Sequence, residues 1–152
     1  MATTAVESTF VDTNILIYAN VASCPENERA RARLGELASA GSELWISRQV
    51  LREYMAILTR PQAFTKPIPA AELGRDIQRF ESQFEIAEDG PSVTARLLDL
   101  LHQFPIGGKQ IHDANIVATM LVHGVKRLLT HNTADFRRFA SLIEVIPLVP
   151  PS

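Results

Sequence analysis

Four acidic residues, Asp12, Glu53, Asp113 and Asp135, fall in four separate segments, each reading as a strand end or the first turns of the following helix. In an open α/β sheet, ligand and catalytic groups collect at the carboxyl ends of parallel strands, so acids remote in sequence can meet there in one pocket. Such a pocket is a cage for divalent metal. Hard cations such as Mg²⁺ prefer carboxylate oxygen and water, and two of them about 3.5–4 Å apart clamp an in-line displacement at phosphorus. The chemistry these residue types point to is metal-dependent cleavage of a phosphodiester bond.

Each acid also has an ordinary structural role to be weighed. Asp12, in FVDTNILIYA, stands where a helix N-cap belongs, as does Thr13. It also follows a buried-looking strand, where its carboxylate emerges at the mouth of the sheet, with Asn14 as a second oxygen ligand or hydrogen-bond donor. Glu53 shares one helical stripe with Val50, Tyr54 and Ile57, so it faces the core side, where a carboxylate is costly unless paired or bound to metal. Arg52 and Arg60 are its candidate ion-pair partners. Asp113 opens a helix, where the dipole favours a negative charge by ~0.3–1 kcal/mol, yet Ile116, Val117 and Met120 follow it at buried-face spacing. Asp135 sits three residues after Asn132, which as N-cap would let the pair close a capping-box-like contact.

The elements that must carry these residues alternate. Thr9 to Val11 reads as a strand, Thr13 to Ala22 as a helix, Pro25 to Ala40 as a helix stopped by Gly41, and Leu44 to Ile46 as a second strand. Arg48 to Thr59 is helical, the proline-rich stretch 60–69 a loop, Ala70 to Phe84 a helix and Glu85 to Ala87 a weak strand. Ser92 to Phe104 and Ile111 to His123 are helices either side of the 105–109 loop, the second closed by Gly124. Strands at Arg127 to Thr130 and Ile143 to Ile146 complete the set, and Pro147, Pro150 and Pro151 end the fold. Short apolar strands alternating with helices predict an α/β chain with a parallel sheet covered on both faces.

Gross features agree. The chain of 152 residues suits one domain spanning 1–152, and a formal charge of −2 excludes a broad cationic coat, leaving local patches or metal to hold any nucleic acid. The single cysteine, Cys24, can form no internal disulfide and lacks companions for a zinc site, which fits a reducing compartment. Met1 to Ser8 lacks the pattern of a signal peptide, and no apolar run approaches the ~18 residues of a spanning helix, so the expectation is a cytoplasmic protein with no membrane association. His112 and His131 adjoin Asp113 and Asn132, but neighbours on a helix diverge by about 100°, and oxygen suits Mg²⁺ better than imidazole. His102 and His123 read as surface or packing residues. Lys109, Lys126, Arg127, Arg137 and Arg138 cluster around the third and fourth acidic segments as candidate phosphate contacts. Gly107-Gly108-Lys109 lacks the spacing of a nucleotide-triphosphate loop.

The segments FVDTNILIYA, SRQVLREY, KQIHDANIVATMLVHGV and KRLLTHNTADF resemble, in order and spacing from Phe10 to Phe136, the motifs of PIN-domain proteins, in particular VapC-type toxins of toxin–antitoxin pairs. The resemblance implies a PIN-like (RNase H/flap-nuclease-like) α/β/α sandwich with a central parallel sheet of about five strands. It also implies an endoribonuclease using Mg²⁺ or Mn²⁺, with Asp12, Glu53, Asp113 and Asp135 at the family's acidic positions. Asp12, Asp113 and Asp135 would be the metal ligands, and Asn14, Thr130 and Asn132 match supporting positions. Some members carry an acid where Asn132 stands, which leaves the charge of a second metal position open. Further implications are an RNA substrate, structured RNA such as tRNA at the level of the family, products with 5′-phosphate and 3′-hydroxyl ends, a homodimer, and a cognate antitoxin that blocks the acidic cleft. Four clustered carboxylates without metal should repel and take up protons.

Rival readings differ in their acids. A phosphoaspartyl phosphatase wants a second Asp at the position of Asn14, and a receiver-like domain gathers its acids at the first strand. A PIN-fold scaffold that binds RNA or protein without cutting has no need of four intact acids. A DNA-cutting nuclease of the same fold remains an alternative, because the metal site ignores the 2′-hydroxyl unless other contacts read it.

Overall fold

The computed structural model describes residues 6–150. Five strands, β1 (Ser8–Val11), β2 (Glu43–Ser47), β3 (Glu85–Ala87), β4 (Arg127–Thr130) and β5 (Glu144–Pro147), form one parallel sheet in the order β3-β2-β1-β4-β5. The helices are α1 (Thr13–Asn20), α2 (Asn27–Ser39), α3 (Arg48–Leu58), α4 (Ala70–Gln83), α5 (Pro91–Gln103), α6 (Gln110–His123) and α7 (Thr133–Phe136), the last followed by a 3₁₀ turn at Arg137–Phe139. Phe10 and Val11 are consecutive in β1 and both fully buried, as are Leu128 and Leu129 in β4, so side chains pointing to either face of the sheet are covered.

The predicted elements all form, with ends shifted by a few residues. The first helix stops at Asn20 rather than running to Ala22, because Val21 turns to extended backbone and a tight turn leads to Asn27. Pro147 does not end the fold: it is the last residue of β5, opposite Thr130. A proline is tolerated there because β5 is an edge strand, where a missing N–H breaks no inner ladder. Pro150 lies past that strand, and Pro151 lies outside the described residues.

Local signals set the boundaries that matter for the site. The Ser47 hydroxyl accepts from the Val50 N–H at 3.3 Å and starts α3 directly after β2. Gly124, at φ 73°, takes the left-handed conformation that ends α6 and turns the chain towards β4. Along α3, Val50, Tyr54 and Leu58 are buried, which fixes the roll of the helix, and the Tyr54 hydroxyl donates to Asp76 of α4 at 2.7 Å. The strand order reverses direction at β1, whose neighbours β2 and β4 lead to opposite edges. Ligand crevices open at such a reversal, beyond the carboxyl ends of the strands.

Candidate active site

Asp12 continues the central ladder for one residue past β1, its N–H donating to Leu129 at 3.0 Å, and then caps α1. Its Oδ1 accepts from the Thr13 N–H at 2.8 Å and its Oδ2 from the Thr130 hydroxyl at 2.7 Å, with the Asn14 amide at 3.4 Å. The structural and functional roles of this residue are thus superimposed: one oxygen caps the helix, while the other is tied to the end of the neighbouring strand. The Thr130 hydroxyl also accepts from the Asn132 N–H at 3.0 Å, and Asn14 Oδ1 from the His131 N–H at 3.3 Å. Burial pushes the Asp12 carboxyl up to about 6, against the downward pull of Thr130 and Thr13, and the charges of Glu53 and Asp113 add to the rise.

Glu53 is half-buried on α3, and its Oε1 accepts from the Thr13 hydroxyl at 2.8 Å. Neither expected ion pair forms: Arg52 lies 3.9 Å from Asp89 instead, and Arg60 faces the same cleft as Glu53 without bridging to it. Thr13, which sequence reasoning credits only with capping, is therefore a partner of the acid 40 positions away. A hydroxyl between two acidic segments gives no periodic signal that would reveal such a link.

Asp113 is half-buried in the first turn of α6, and its carboxyl is likewise raised to about 6. Burial is the larger cause. Asp135 and Glu53 come next, partly offset by His112 and Arg138. Mutual repulsion, the expected source of proton uptake, is thus secondary to desolvation at both Asp12 and Asp113. Helices α3 and α6 are held together beside the site by Gln49, a buried residue sequence reasoning also missed. Its amide donates to the His112 carbonyl at 2.8 Å, and its carbonyl accepts from Asn115 at 2.8 Å.

Asp135 is exposed on α7. Asn132 does occupy the N-cap, but the capping-box contact is not made: the bond between them runs from the Asp135 N–H to the Asn132 carbonyl at 3.1 Å. Both side chains line the cleft instead.

That cleft, of about 450 Å³, is lined by Asp12, Asn14, Glu53, Asp113, Asn132 and Asp135, with Thr130 buried beneath Asp12. All seven sequence-predicted site residues are brought together. Among the described residues no Lys or Arg pairs with any of the four acids. A set of carboxylates graded from buried Asp12 to exposed Asp135, unpaired with Lys or Arg and with amide and hydroxyl oxygens beside it, is a hard-oxygen donor set that fits Mg²⁺ or Mn²⁺. The donors are gathered but not closed: no three acidic, histidine or cysteine side chains of the described residues converge tightly enough to hold an ion as they stand.

None of the five residues of the expected basic cluster lines the cleft, Lys109 standing directly before α6. Lys126 and Arg127 lie at the amino end of β4, across the sheet from the cleft, where Arg127 Nη1 is 2.7 Å from Glu7. Arg137 lines a separate groove along β5, and Arg138 donates to the Pro105 carbonyl at 3.1 Å, its charge still felt at Asp113. The cation that does line the cleft is Arg60. His131 is exposed and packs edge-on against Tyr18, His123 packs against Trp45, and His102 is exposed.

A family model described as PIN domain matches residues 9–142. The chain is similar to Ribonuclease VapC24 of Mycobacterium tuberculosis, 30% identical over 131 residues that span 85% of this chain and 89% of that protein. It is also similar to Ribonuclease VapC48 of the same organism, 22% identical over 136 residues, 86% of this chain and 91% of that one. Among solved structures it superposes on a chain of VapBC2 from Rickettsia felis bound to a DNA fragment from its promoter, with a TM-score of 0.68, 22% identity and coverage of 92% and 98%. It superposes also on VapC20 of Mycobacterium tuberculosis, a sarcin-ricin loop cleaving toxin, with a TM-score of 0.65, 17% identity and coverage of 91% and 99%. Both superpositions bear out the expected α/β/α sandwich around a parallel sheet.

Proposed function

This chain belongs to the PIN domain family, and on that premise we propose that it is a metal-dependent endoribonuclease, the toxin of a type II toxin–antitoxin pair. The observation that carries the reading is the meeting of Asp12, Glu53, Asp113 and Asp135 in one cleft at the carboxyl ends of β1 and β4, with two of the four raised to about 6 and none paired to a cation among the described residues. The similarity to Ribonuclease VapC24 supports RNA as the substrate.

Asp12, Asp113 and Asp135 would hold the Mg²⁺ or Mn²⁺ ion, which when bound supplies Lewis acidity that acidifies water and offsets charge building on phosphorus. The protein's own groups do the rest. Asn14 and Thr130 fix the Asp12 carboxylate so that it needs little reorganisation. Thr13 engages Oε1 of Glu53, which leaves Oε2 to hold the attacking water and accept its proton. As the water oxygen bonds to phosphorus the bond to the 3′ oxygen breaks and that oxygen takes a proton from solvent water, giving 5′-phosphate and 3′-hydroxyl ends. Cation among the carboxylates also relieves their desolvated charge, so binding it stabilises the fold.

The partner is a cognate antitoxin that covers the cleft and presents a basic side chain to the acids; VapBC complexes among the structural neighbours support such a partner. The active form is a homodimer, and its RNA is of the structured class to which tRNA belongs. Among the described residues no helix is long and apolar enough to cross a membrane, and a cytoplasmic site of action suits a nuclease directed at RNA.

Purified protein, Asp12→Asn and Asp113→Asn are to be incubated with labelled RNAs and matched DNAs in Mg²⁺, Mn²⁺ or EDTA. Metal-dependent cutting of RNA alone, lost in both variants, is the expected result. Cutting of DNA would move the substrate. A folded protein that cuts nothing and binds no metal would leave a PIN-fold scaffold.

A further inference from the structure

Two chemically different sets of residues line the cleft. One is the acids; the other includes Tyr18 of α1, Ile57 of α3, and Arg60, Gln62 and Phe64 of the stretch that follows α3. Phosphate and metal have no use for an aromatic lining. From it we infer that Tyr18 and Phe64 form a stacking subsite for the base of an unpaired nucleotide next to the scissile phosphate, with Arg60 on an adjoining phosphate. The inference rests on the nuclease reading and gives its substrate a conformation: a base can lie on these rings only when it has left a helical stack.

Both rings are preset. Tyr18 is half-buried, its backbone carbonyl accepts from Asn27 at 2.7 Å, and its ring meets His131 edge-on, with centroids 5.5 Å apart and planes at 83°. Phe64 packs against the core, and its carbonyl accepts from the Ser23 hydroxyl. The loop around it is tied to α3 by bonds from the Gln62 amide to the Ile57 carbonyl at 2.9 Å and from the Ile68 N–H to the Leu58 carbonyl at 2.9 Å. Aromatic side chains already held in place lose little freedom when a base arrives, so stacking on them is worth its full amount. Arg60 is exposed and makes no ion pair among the described residues, which leaves its guanidinium for phosphate.

The test is a cycle between ring and base. All proteins carry Asp12→Asn, which removes one cleft charge and, on the nuclease reading, the cutting. Affinities are measured by anisotropy in Mg²⁺ for labelled hexauridylate and for the same oligomer with one abasic residue at each position in turn. In the parent, one abasic position is expected to weaken binding about tenfold. Tyr18→Leu and Phe64→Leu should each lose about tenfold on intact RNA and little more on that abasic oligomer, whereas Tyr18→Phe should keep the parent's discrimination. Arg60→Gln should lower the salt slope by about 0.7, the worth of one phosphate contact on a single strand. The inference is overturned if the leucine variants, folded by near-ultraviolet circular dichroism, still lose tenfold on abasic RNA. It is overturned equally if the parent binds every abasic oligomer as well as the intact one, or binds none of them. Failure of the nuclease reading shows separately, as a wild type that cuts no RNA; cutting by the Asp12→Asn background would count against the role of Asp12, and the affinities decide the stacking in either case.

Discussion

Two groups of charged side chains sit at the same end of the sheet and behave in opposite ways. Arg48, directly after β2, bridges Glu81 at 3.1 Å and Glu88 at 2.9 Å, all three on the surface. There the guanidinium holds the Glu88 carboxyl below its ordinary range, and the acids in turn raise Arg48. One strand along, Asp12 and, on α6, Asp113 lack any such partner among the described residues, and burial drives both carboxyls up. The first group is solvated, self-satisfied and ordinary. The second carries a desolvation cost on its charged form that the fold imposes, and that cost is what a cation or a basic side chain can relieve.

The sharpest way to break the contrast is through activity. Asp12→Asn or Asp113→Asn should reduce RNA cleavage on the order of 10³-fold, while Arg48→Gln should cut as the wild type does and barely shift the melting temperature. Parallel turnover and thermal-denaturation measurements on the three variants decide it. Stability against pH comes next. The folded Asp12 carboxyl is raised from 3.8 to about 6, so the folded chain binds more protons than the unfolded chain between those values. Stability therefore falls as pH rises through that window, by on the order of 3 kcal/mol in total. Metal-free protein should melt higher at pH 5 than at pH 7.5, and Asp12→Asn should remove about half of that difference, since Asp113 is raised over the same range; a flat profile in the wild type would contradict the burial argument. Adding Mg²⁺ at pH 7.5 should raise the wild-type melting temperature more than that of Asp12→Asn. Smallest is Thr13→Val, which frees Glu53 Oε1 and should slow turnover about tenfold, the worth of roughly one hydrogen bond, with KM little changed.

The proposed insertion of a basic side chain by an antitoxin offers a further probe of the unpaired group. Asp113→Asn should weaken antitoxin binding in calorimetry, and full affinity would count against a charged contact there.

The acids were legible in the sequence because each lies where periodicity changes, at a strand end or on a buried helical stripe, and those changes also located the elements. The Arg48 group was not, since an ion pair between residues 33 and 40 positions apart leaves no pattern in either segment. The same blindness hid Thr13 behind Glu53 and Gln49 between α3 and α6. Lys126 and Arg127 misled for a related reason: proximity in sequence to Thr130 placed them near the site, but a strand runs the length of the sheet and carried them to its far end. The proline-rich stretch was readable as a loop, though nothing in its composition announced that Phe64 would line the cleft.

The bond from Thr130 to Asp12 joins residues 118 positions apart, and the β1–β4 pair beneath it is equally remote. During synthesis β1 emerges early and must wait for β4 while nearly the whole chain is made, at about 5–20 residues per second. Until then no second wall exists against which Asp12 can be set. A chain cut short before β4 therefore lacks Thr130, Asn132 and Asp135 and cannot assemble the cleft, however well its first half folds.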